Sequence, residues 1–510
     1  MDFHLQTLWS EVAKPQSLAT LFLGATLLCA ARAAYLVYFH PLSKFPGPRL
    51  AAVSDLWYGY HWLSGRYPWA VEDALRQYGD VVRIAPNELV FVTPQAIADI
   101  YGPHDKGLEA WVKTDFNNMG KGLGGILWEE DPVRHRAVAR QLHPAFSSRN
   151  VRALEPLVHR HMDYFVARMA ELGGVAAGVD VARWINWLAM DLAGAMSLSE
   201  DLGQQRAMRN DARLDMLLAF NAFATAMQVF KRFGPVLRQL QYLLAPASKL
   251  LLFARTEATT RRQVRQRIAD RGAKTDHADF FEFLLPAAAP APTDTTHLAA
   301  VAVQLTFAEF GPMSDWFYSA LVHLLAEPAC HAALVREVRA AFARSADIVA
   351  TAVAPLPYLH ACLKESLRLF NSNSTGLPRI SPGAVVDGHF VPKGAHVQTS
   401  VFASFRSARY FHEPLAFRPQ RWLAPGHALH EARFAADDAS GFVPFSLGPR
   451  MCMGRELAWM QGKLFLAKVL WAFDVALGSG QRVDGLDAAL RHYGFLVKPE
   501  VKVRFTPVER

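Results

Sequence analysis

The sequence predicts a mainly helical chain with a small β-rich portion, set behind an N-terminal transmembrane helix. Three observations carry this. From Leu18 to Phe39 the chain is apolar except for Thr20, Thr26 and Arg32, and a helical run of that length reaches about 33 Å, enough for a bilayer core. After residue 100 helical patterning and helix-start signals dominate. No internal repeat or long low-complexity linker divides the 510 residues, so one large domain behind a short anchor is the simplest organisation. The boundaries read as an anchor over 1–40, a proline-rich hinge over 41–50 and the main domain over 51–510.

Charge sets the orientation of the anchor. Lys14 is offset by Asp2 and Glu11 before the span, whereas Lys44 and Arg49 follow it uncompensated. The positive excess after the span places the main domain in the cytosol, and Arg32 can snorkel to that interface. A cleaved signal peptide is disfavoured, because the run is long and lacks a basic leading region. The net charge of +8 is dispersed, with no nucleic-acid recognition motif beside it, which points to an anionic membrane surface or an acidic partner. Cys29, Cys330, Cys362 and Cys452 are too scattered for a zinc site or a disulfide framework, and a reducing compartment fits.

The remaining elements follow in order. His40 to Pro48 holds two prolines around Gly47 and makes a stiff elbow. Val81–Ile84 and Leu89–Val92 read as paired strands around a Pro-Asn turn. Asp131-Pro132 opens a helix. Leu214 to Ala245, carrying Lys231, Arg232 and Arg238, is either a membrane-dipping lid or an amphipathic packing helix. Arg261 to Arg267 reads as a solvated charged face, and 286–292 as a surface loop. A long apolar helix runs from about Leu298 to Ala326.

The most informative decade is Phe445 to Gly454, which contains Cys452. One sulfur makes neither a disulfide nor a cluster, but a thiolate can be the axial ligand of a heme iron. Gly448 and Gly454 let the backbone turn tightly and approach a flat ligand. The N-terminus of the following helix stabilises an anionic sulfur, and Arg450 can pair with a propionate.

This decade resembles the heme-binding loop of the cytochrome P450 family, Phe-x-x-Gly-x-Arg-x-Cys-x-Gly, with Phe445, Gly448, Arg450, Cys452 and Gly454 at its fixed positions. The hinge and the stretch Tyr78 to Leu89 resemble its filamentous-fungal, membrane-anchored branch. Glu365-x-x-Arg368 matches the family's Glu-x-x-Arg pair, neighbours on one helical face, and Arg421 in Pro-Gln-Arg-Trp supplies the third member. The resemblance implies that these three form a buried structural network that holds the heme loop. It also implies propionate contacts at Arg379 and His135. The family's second contact on the His135 helix is an arginine. This chain has Ala139 there, with Arg140 one step further round.

The long helix departs from the pattern. The family carries Ala-Gly-x-(Asp/Glu)-Thr, and the aligned residues here are Ala308-Glu309-Phe310-Gly311-Pro312. The acid and alcohol that relay protons during oxygen activation have become Gly311 and Pro312. Pro312 has no N–H, so the carbonyl of Ala308 loses its helical partner and can hold a water over the heme. Glu309 is then the candidate catalytic carboxyl.

The resemblance implies a helical prism with a small β-rich subdomain, holding heme b between the long helix and the cysteine loop. It implies a monooxygenase that oxidises a hydrophobic small molecule, terpenoid or polyketide-like, in fungal secondary metabolism. Dioxygen and NADPH electrons from NADPH-cytochrome P450 reductase would drive it, at the endoplasmic reticulum membrane with a cytosolic catalytic domain. Gly311 and Pro312 keep open a non-oxygenating isomerase or dehydratase. A non-catalytic heme-binding protein is the third alternative.

Overall fold

The computed structural model describes residues 15–103, 108–114, 125–234, 239, 247–270, 279–284 and 296–509. The loop at 286–292, Arg238 and the charges at Asp2, Glu11 and Lys14 lie outside the described residues.

The apolar run forms a helix over Pro15–Tyr38, in which only Leu36 is buried. Among the described residues it is the one helix long and apolar enough to cross a membrane, with a mean hydropathy of 1.7. Its two threonine hydroxyls donate to the carbonyls of Gln16 and Phe22, at 2.9 and 2.8 Å. Both polar groups are therefore satisfied inside the helix, as a lipid-facing segment requires.

The elbow after this helix is packed against the main domain. Leu42 and Phe45 are buried in a cluster with Val81, Leu89, Phe91 and Val397. Arg83, 2 % exposed, reaches back to the anchor. Its guanidinium donates to the carbonyl of Leu36 at 2.9 Å and to that of Pro86 at 2.7 and 3.1 Å. Its backbone N–H donates to the carbonyl of Pro46 at 2.8 Å. A side chain at Gly47 would meet the carbonyl oxygen of Arg83 at 2.3 Å, so glycine is demanded by this close approach.

Val81–Ala85 and Glu88–Phe91 pair antiparallel with a bulge between Arg83 and Ala85. His396–Thr399 joins in parallel, followed by Arg379–Ile380 and then Val112–Lys113. The last pairing sets Lys113 opposite Arg379. A three-stranded sheet of Val179–Asp180, Lys502–Pro507 and Phe473–Leu477 and two short hairpins complete the β portion.

The rest is helical, built around Thr296–Ala326. This helix packs along Val181–Leu198 on one side and along Pro357–Leu369 and Arg455–Ala472 on others. It is buried nearly all round from Phe310 to Val322, the mark of a core helix. One open alternative closes and one expectation changes. The described part of the 214–245 stretch is a packing helix, Ala212–Phe230, with Leu214, Leu217 and Val229 buried. Arg232 beyond it binds Asp55 and Glu88 at 2.8 and 2.6 Å. Arg267 is also engaged, because Asp279, buried at the start of the next helix, draws it in at 2.9 and 3.2 Å. Arg261, Arg262 and Arg265 remain exposed.

Replacing Arg83 by Met should leave the carbonyls of Leu36 and Pro86 without their donor and lower stability by about 2–4 kcal/mol. Thermal unfolding of the full chain in detergent checks it. An unchanged melting temperature would show that the anchor elbow does not depend on Arg83.

Candidate active site

The cysteine loop is a strained turn seated on a helix start. Gly448 has φ +69°, and a side chain there would meet the carbonyl oxygen of Tyr101 at 2.1 Å. Ser446 adopts φ 60° without being glycine, a conformation that neighbouring contacts must hold. The N–H of Cys452 donates to the carbonyl of Phe445 at 2.9 Å. The Phe445 ring packs against Trp316 of the long helix and Trp459 of the following helix, centroids 6.2 Å away in each case. Gly454 departs from expectation. It has an ordinary φ of −80°, and a Cβ there would stand 3.8 Å from Phe146 and 3.9 Å from Cys452 Sγ, ordinary contacts. Its N–H, however, is hydrogen-bonded to the thiol and opposes the upward push on its pKa from burial and from Glu309. Burial wins over the helix start, and the free thiol stays above its ordinary value.

Cys452 lies deep among protein atoms yet presents open surface, within electrostatic reach of Glu309 on the long helix. The long helix opens similarly at Ala308 and Pro312, one turn apart, both exposed while Phe310, Gly311 and Met313 are buried. Pro312 leaves the Ala308 carbonyl without its helical donor on that open stripe.

A cationic cluster borders the loop. Arg450 grips Glu109 with Nε at 2.7 Å from both carboxylate oxygens and donates to the carbonyl of Glu129 at 2.6 Å. That differs from the expected propionate pairing. A carboxylate in reach of a buried guanidinium closes on it. Arg379, 3 % exposed, donates to the carbonyls of Leu377 and Pro378, and burial lowers its pKa to about 10. Lys113, across the strand pair, donates to the Leu127 carbonyl. Burial first, then Arg379 and Arg450, pushes its pKa well down. His135 is buried, and burial with Arg450 beside it brings its pKa to about 4. Among the described residues neither Lys113 nor Arg379 has a carboxylate in ion-pair contact. Ala139 lines a pocket of about 460 Å³ with His135, Arg136, Arg140 and Pro449. Arg140 is exposed and does not replace the missing arginine inside.

The three network residues meet. Glu365 accepts from Arg368 at 2.9 and 2.8 Å, from Arg421 at 3.1 Å, from the Arg418 N–H at 2.9 Å and from Trp422 Nε1 at 2.9 Å. All three charged side chains are fully buried. Burial alone would raise the Glu365 pKa, but Arg368 and Arg421 hold it below the ordinary carboxylate value. Arg368 also donates to the carbonyls of Phe405, Pro414 and Ala416. A fourth charge, Asp437, pairs with Arg421. No spacing in the sequence marked it.

Glu309 is half-buried and accepts from Nε2 of Gln461, on the cysteine-loop helix, at 2.6 Å. Burial lifts its pKa to about 7. Gly311 is filled from outside, since a Cβ there would meet the Phe495 ring at 2.3 Å. Lys113, Glu109, Gln461 and Phe495 escaped the sequence reading. Each becomes functional only through contact with a residue far away in the chain.

A helical fold whose glycine-flanked cysteine loop presents an open thiol, with cations alongside and no cluster of metal-ligating side chains among the described residues, defines a heme-thiolate class of protein. The cytochrome P450 family description matches residues 56–502. The chain is similar to the cytochrome P450 monooxygenase TwmD of Talaromyces wortmannii, 47 % identical over 496 residues that cover 96 % of each chain. It is also similar to the monooxygenases poxC of Penicillium oxalicum, 35 % identical over 93 % of this chain and 91 % of poxC, and BOA3 of Botryotinia fuckeliana, 34 % identical over 93 % of each. The chain belongs to the cytochrome P450 family, and it is a monooxygenase of the heme-dependent kind. The donor set fits the cofactor: one thiol for iron, and buried cations suited to two propionates.

Truncating Glu365 to Ala leaves two guanidiniums buried without their counter-charge, and the expected loss is about 3–5 kcal/mol. Denaturant unfolding followed by tryptophan fluorescence measures it; a loss under about 1 kcal/mol would mean the network is redundant. Glu309 yields a pH signature. Its folded pKa of about 7 lies above the ordinary 4.5, so its contribution is full below the lower value and is lost as pH rises through the upper. Relative to Glu309→Gln, the wild type should lose up to roughly 3 kcal/mol across that window and run parallel above it. Melting curves of both proteins at about pH 5 and about pH 8 decide the matter, and equal differences at the two values sink it.

Proposed function

We propose that the chain inserts oxygen into a hydrophobic small molecule, terpenoid or polyketide-like, of fungal secondary metabolism. Its electrons come from NADPH through NADPH-cytochrome P450 reductase, with the catalytic domain on the cytosolic side of the endoplasmic reticulum membrane. The observation that carries this reading is the open Cys452 thiol, within electrostatic reach of Glu309 on the helix whose Ala308 and Pro312 are also open. When bound, heme b supplies oxygen activation, promoted by electron donation from a thiolate. Cys452 is the iron ligand in this reading, and the Phe445–Gly454 turn fixes its direction. Lys113, Arg379 and His135 hold the propionates, with Arg450 shared between them and Glu109. Glu365, Arg368 and Arg421 keep the loop in place without touching the chemistry.

Glu309 carries the proton. Its carboxyl keeps a proton to about pH 7, and Gln461 Nε2 fixes its Oε1. Ala308, with its carbonyl freed by Pro312, positions a water on the open stripe. The partly buried rings of Phe307 and Phe495 near that stripe make its surroundings apolar and favour a hydrophobic substrate. The exposed Arg140 and His143, which share a pocket with Pro449 of the cysteine loop, suit an acidic flavoprotein. The relatives' fungal sources and the exposed apolar helix at the N-terminus favour the stated setting.

The test uses the metabolite that accumulates when the gene is deleted from its host. It is incubated with membranes carrying the protein and a reductase under isotopically labelled dioxygen. Labelled product that requires NADPH is expected, and Cys452→Ser should abolish it. Product formed without NADPH or dioxygen would replace this reading by the isomerase or dehydratase that Gly311 and Pro312 leave open. Normal turnover and coupling in Glu309→Gln would remove Glu309 from the mechanism.

A further inference from the structure

Tyr101 ends the helix Pro94–Tyr101 and is 8 % exposed, and its hydroxyl is spent on strands far away in the chain. Arg379 pairs with Val397 and Ile380 with His396. Carrying that register back by two residues sets Leu377 opposite Thr399, and there the tyrosine oxygen stands in the rung. It accepts the N–H of Thr399 at 3.2 Å and donates to the carbonyl of Leu377 at 3.0 Å. The donor of one strand and the acceptor of the other are thus joined through a side-chain oxygen. Gly376 makes room for it. At φ +60°, a side chain there would meet the Thr399 carbonyl oxygen at 2.3 Å and the Tyr101 hydroxyl at 3.0 Å.

The same side chain touches Arg379 in two ways. The Leu377 carbonyl that takes the tyrosine proton also accepts from Arg379 Nη1 at 3.0 Å. The guanidinium carbon lies over the Tyr101 ring, 5.0 Å from its centroid, within the range of a cation–π contact. A phenylalanine would fill the same space, so the hydroxyl is the informative atom. The backbone of Tyr101 faces the other way, onto the cysteine loop. Its carbonyl oxygen stands 2.1 Å from the place a Gly448 Cβ would take, and Leu447 packs against the cluster that holds Tyr101 and Ile97. Gly448 and Arg450 belong to one tight turn. One residue therefore meets the loop with its main chain and Arg379 with its side chain.

We infer that Tyr101 is a positioning residue for the cofactor: it fixes the Arg379 guanidinium relative to the cysteine loop. The point that holds a propionate and the turn that presents the sulfur then keep one spacing. The inference rests on the heme reading above. Loss of the hydroxyl frees the Leu377 carbonyl to close on the Thr399 N–H, and Arg379 loses its fixed acceptor.

Two measurements on the full-length, heme-loaded protein in detergent test it, with Tyr101→Phe, Arg379→Met and the double variant. The first is the rate of heme transfer to excess apomyoglobin, read by absorbance. Tyr101→Phe should speed it about tenfold in the wild type and less than about twofold in the Arg379→Met background. Equal factors in the two backgrounds, with heme bound normally, overturn the positioning role while the heme reading stands. The second is the midpoint reduction potential of the bound heme. A guanidinium drawn away from the propionates favours the ferric state, so each single variant should lower the potential and the double variant should match Arg379→Met. A lower melting temperature in Tyr101→Phe with an unchanged potential would make Tyr101 a packing residue and overturn the inference. Arg379→Lys, which keeps the charge on a different geometry, completes the cycle should Arg379→Met fail to retain heme. A purified wild type that takes up no heme overturns both readings.

Discussion

A carboxylate with no access to water is the constraint on which the irregular segment that leads toward the cysteine loop depends. Glu365 is fully buried, and an isolated charge in that position would cost many times the net stability of a domain. It persists because two guanidiniums, one indole and one backbone N–H converge on its two oxygens. The same guanidiniums spend their remaining donors on the carbonyls of residues 405, 412, 413, 414 and 416. An irregular segment with few ladder hydrogen bonds of its own is thereby given one conformation. The cysteine loop is the continuation of that segment.

The region beside the loop shows the opposite balance. Lys113, Arg379 and Arg450 stand near one another, and each of the first two is pushed toward the neutral form, chiefly by burial. Glu109 answers only part of that charge. Such a site favours a ligand that brings two carboxylates of its own. The strand pairing of Lys113 with Arg379 is what makes the site dibasic. It offers a physical account of why Ala139 is tolerated where the family carries arginine.

The altered helix is a rearrangement of parts and not a simple loss. Pro312 takes away an N–H and leaves a carbonyl open. Gly311 gives up its side chain to a phenyl ring from the C-terminal hairpin. Glu309 turns toward Gln461 on the cysteine-loop helix, one of the elements packed along the long helix. This stretch of the long helix is therefore shaped by contacts between elements more than by a motif on one of them.

How much of this was legible depends on the range of the interaction. The anchor, the Pro-Asn hairpin, the Asp131-Pro132 helix start and the long helix follow from patterns within a few residues, where periodicity and capping act. The cysteine decade and the Glu365, Arg368 and Arg421 triad were readable because their residue types stand at telling positions along the chain. Asp437 beside Arg421, Arg267 on Asp279, Lys113 opposite Arg379 and Arg450 on Glu109 left no such trace. Phe495 in the notch of Gly311, 184 positions away by residue number, is the extreme case. By itself the sequence determined the class of fold, the cysteine loop and the two residues that depart from the expected relay. Only the tertiary structure decided which charges neutralise one another and what fills the space of a missing side chain. Those outcomes depend on distances between elements, and local sequence does not encode them.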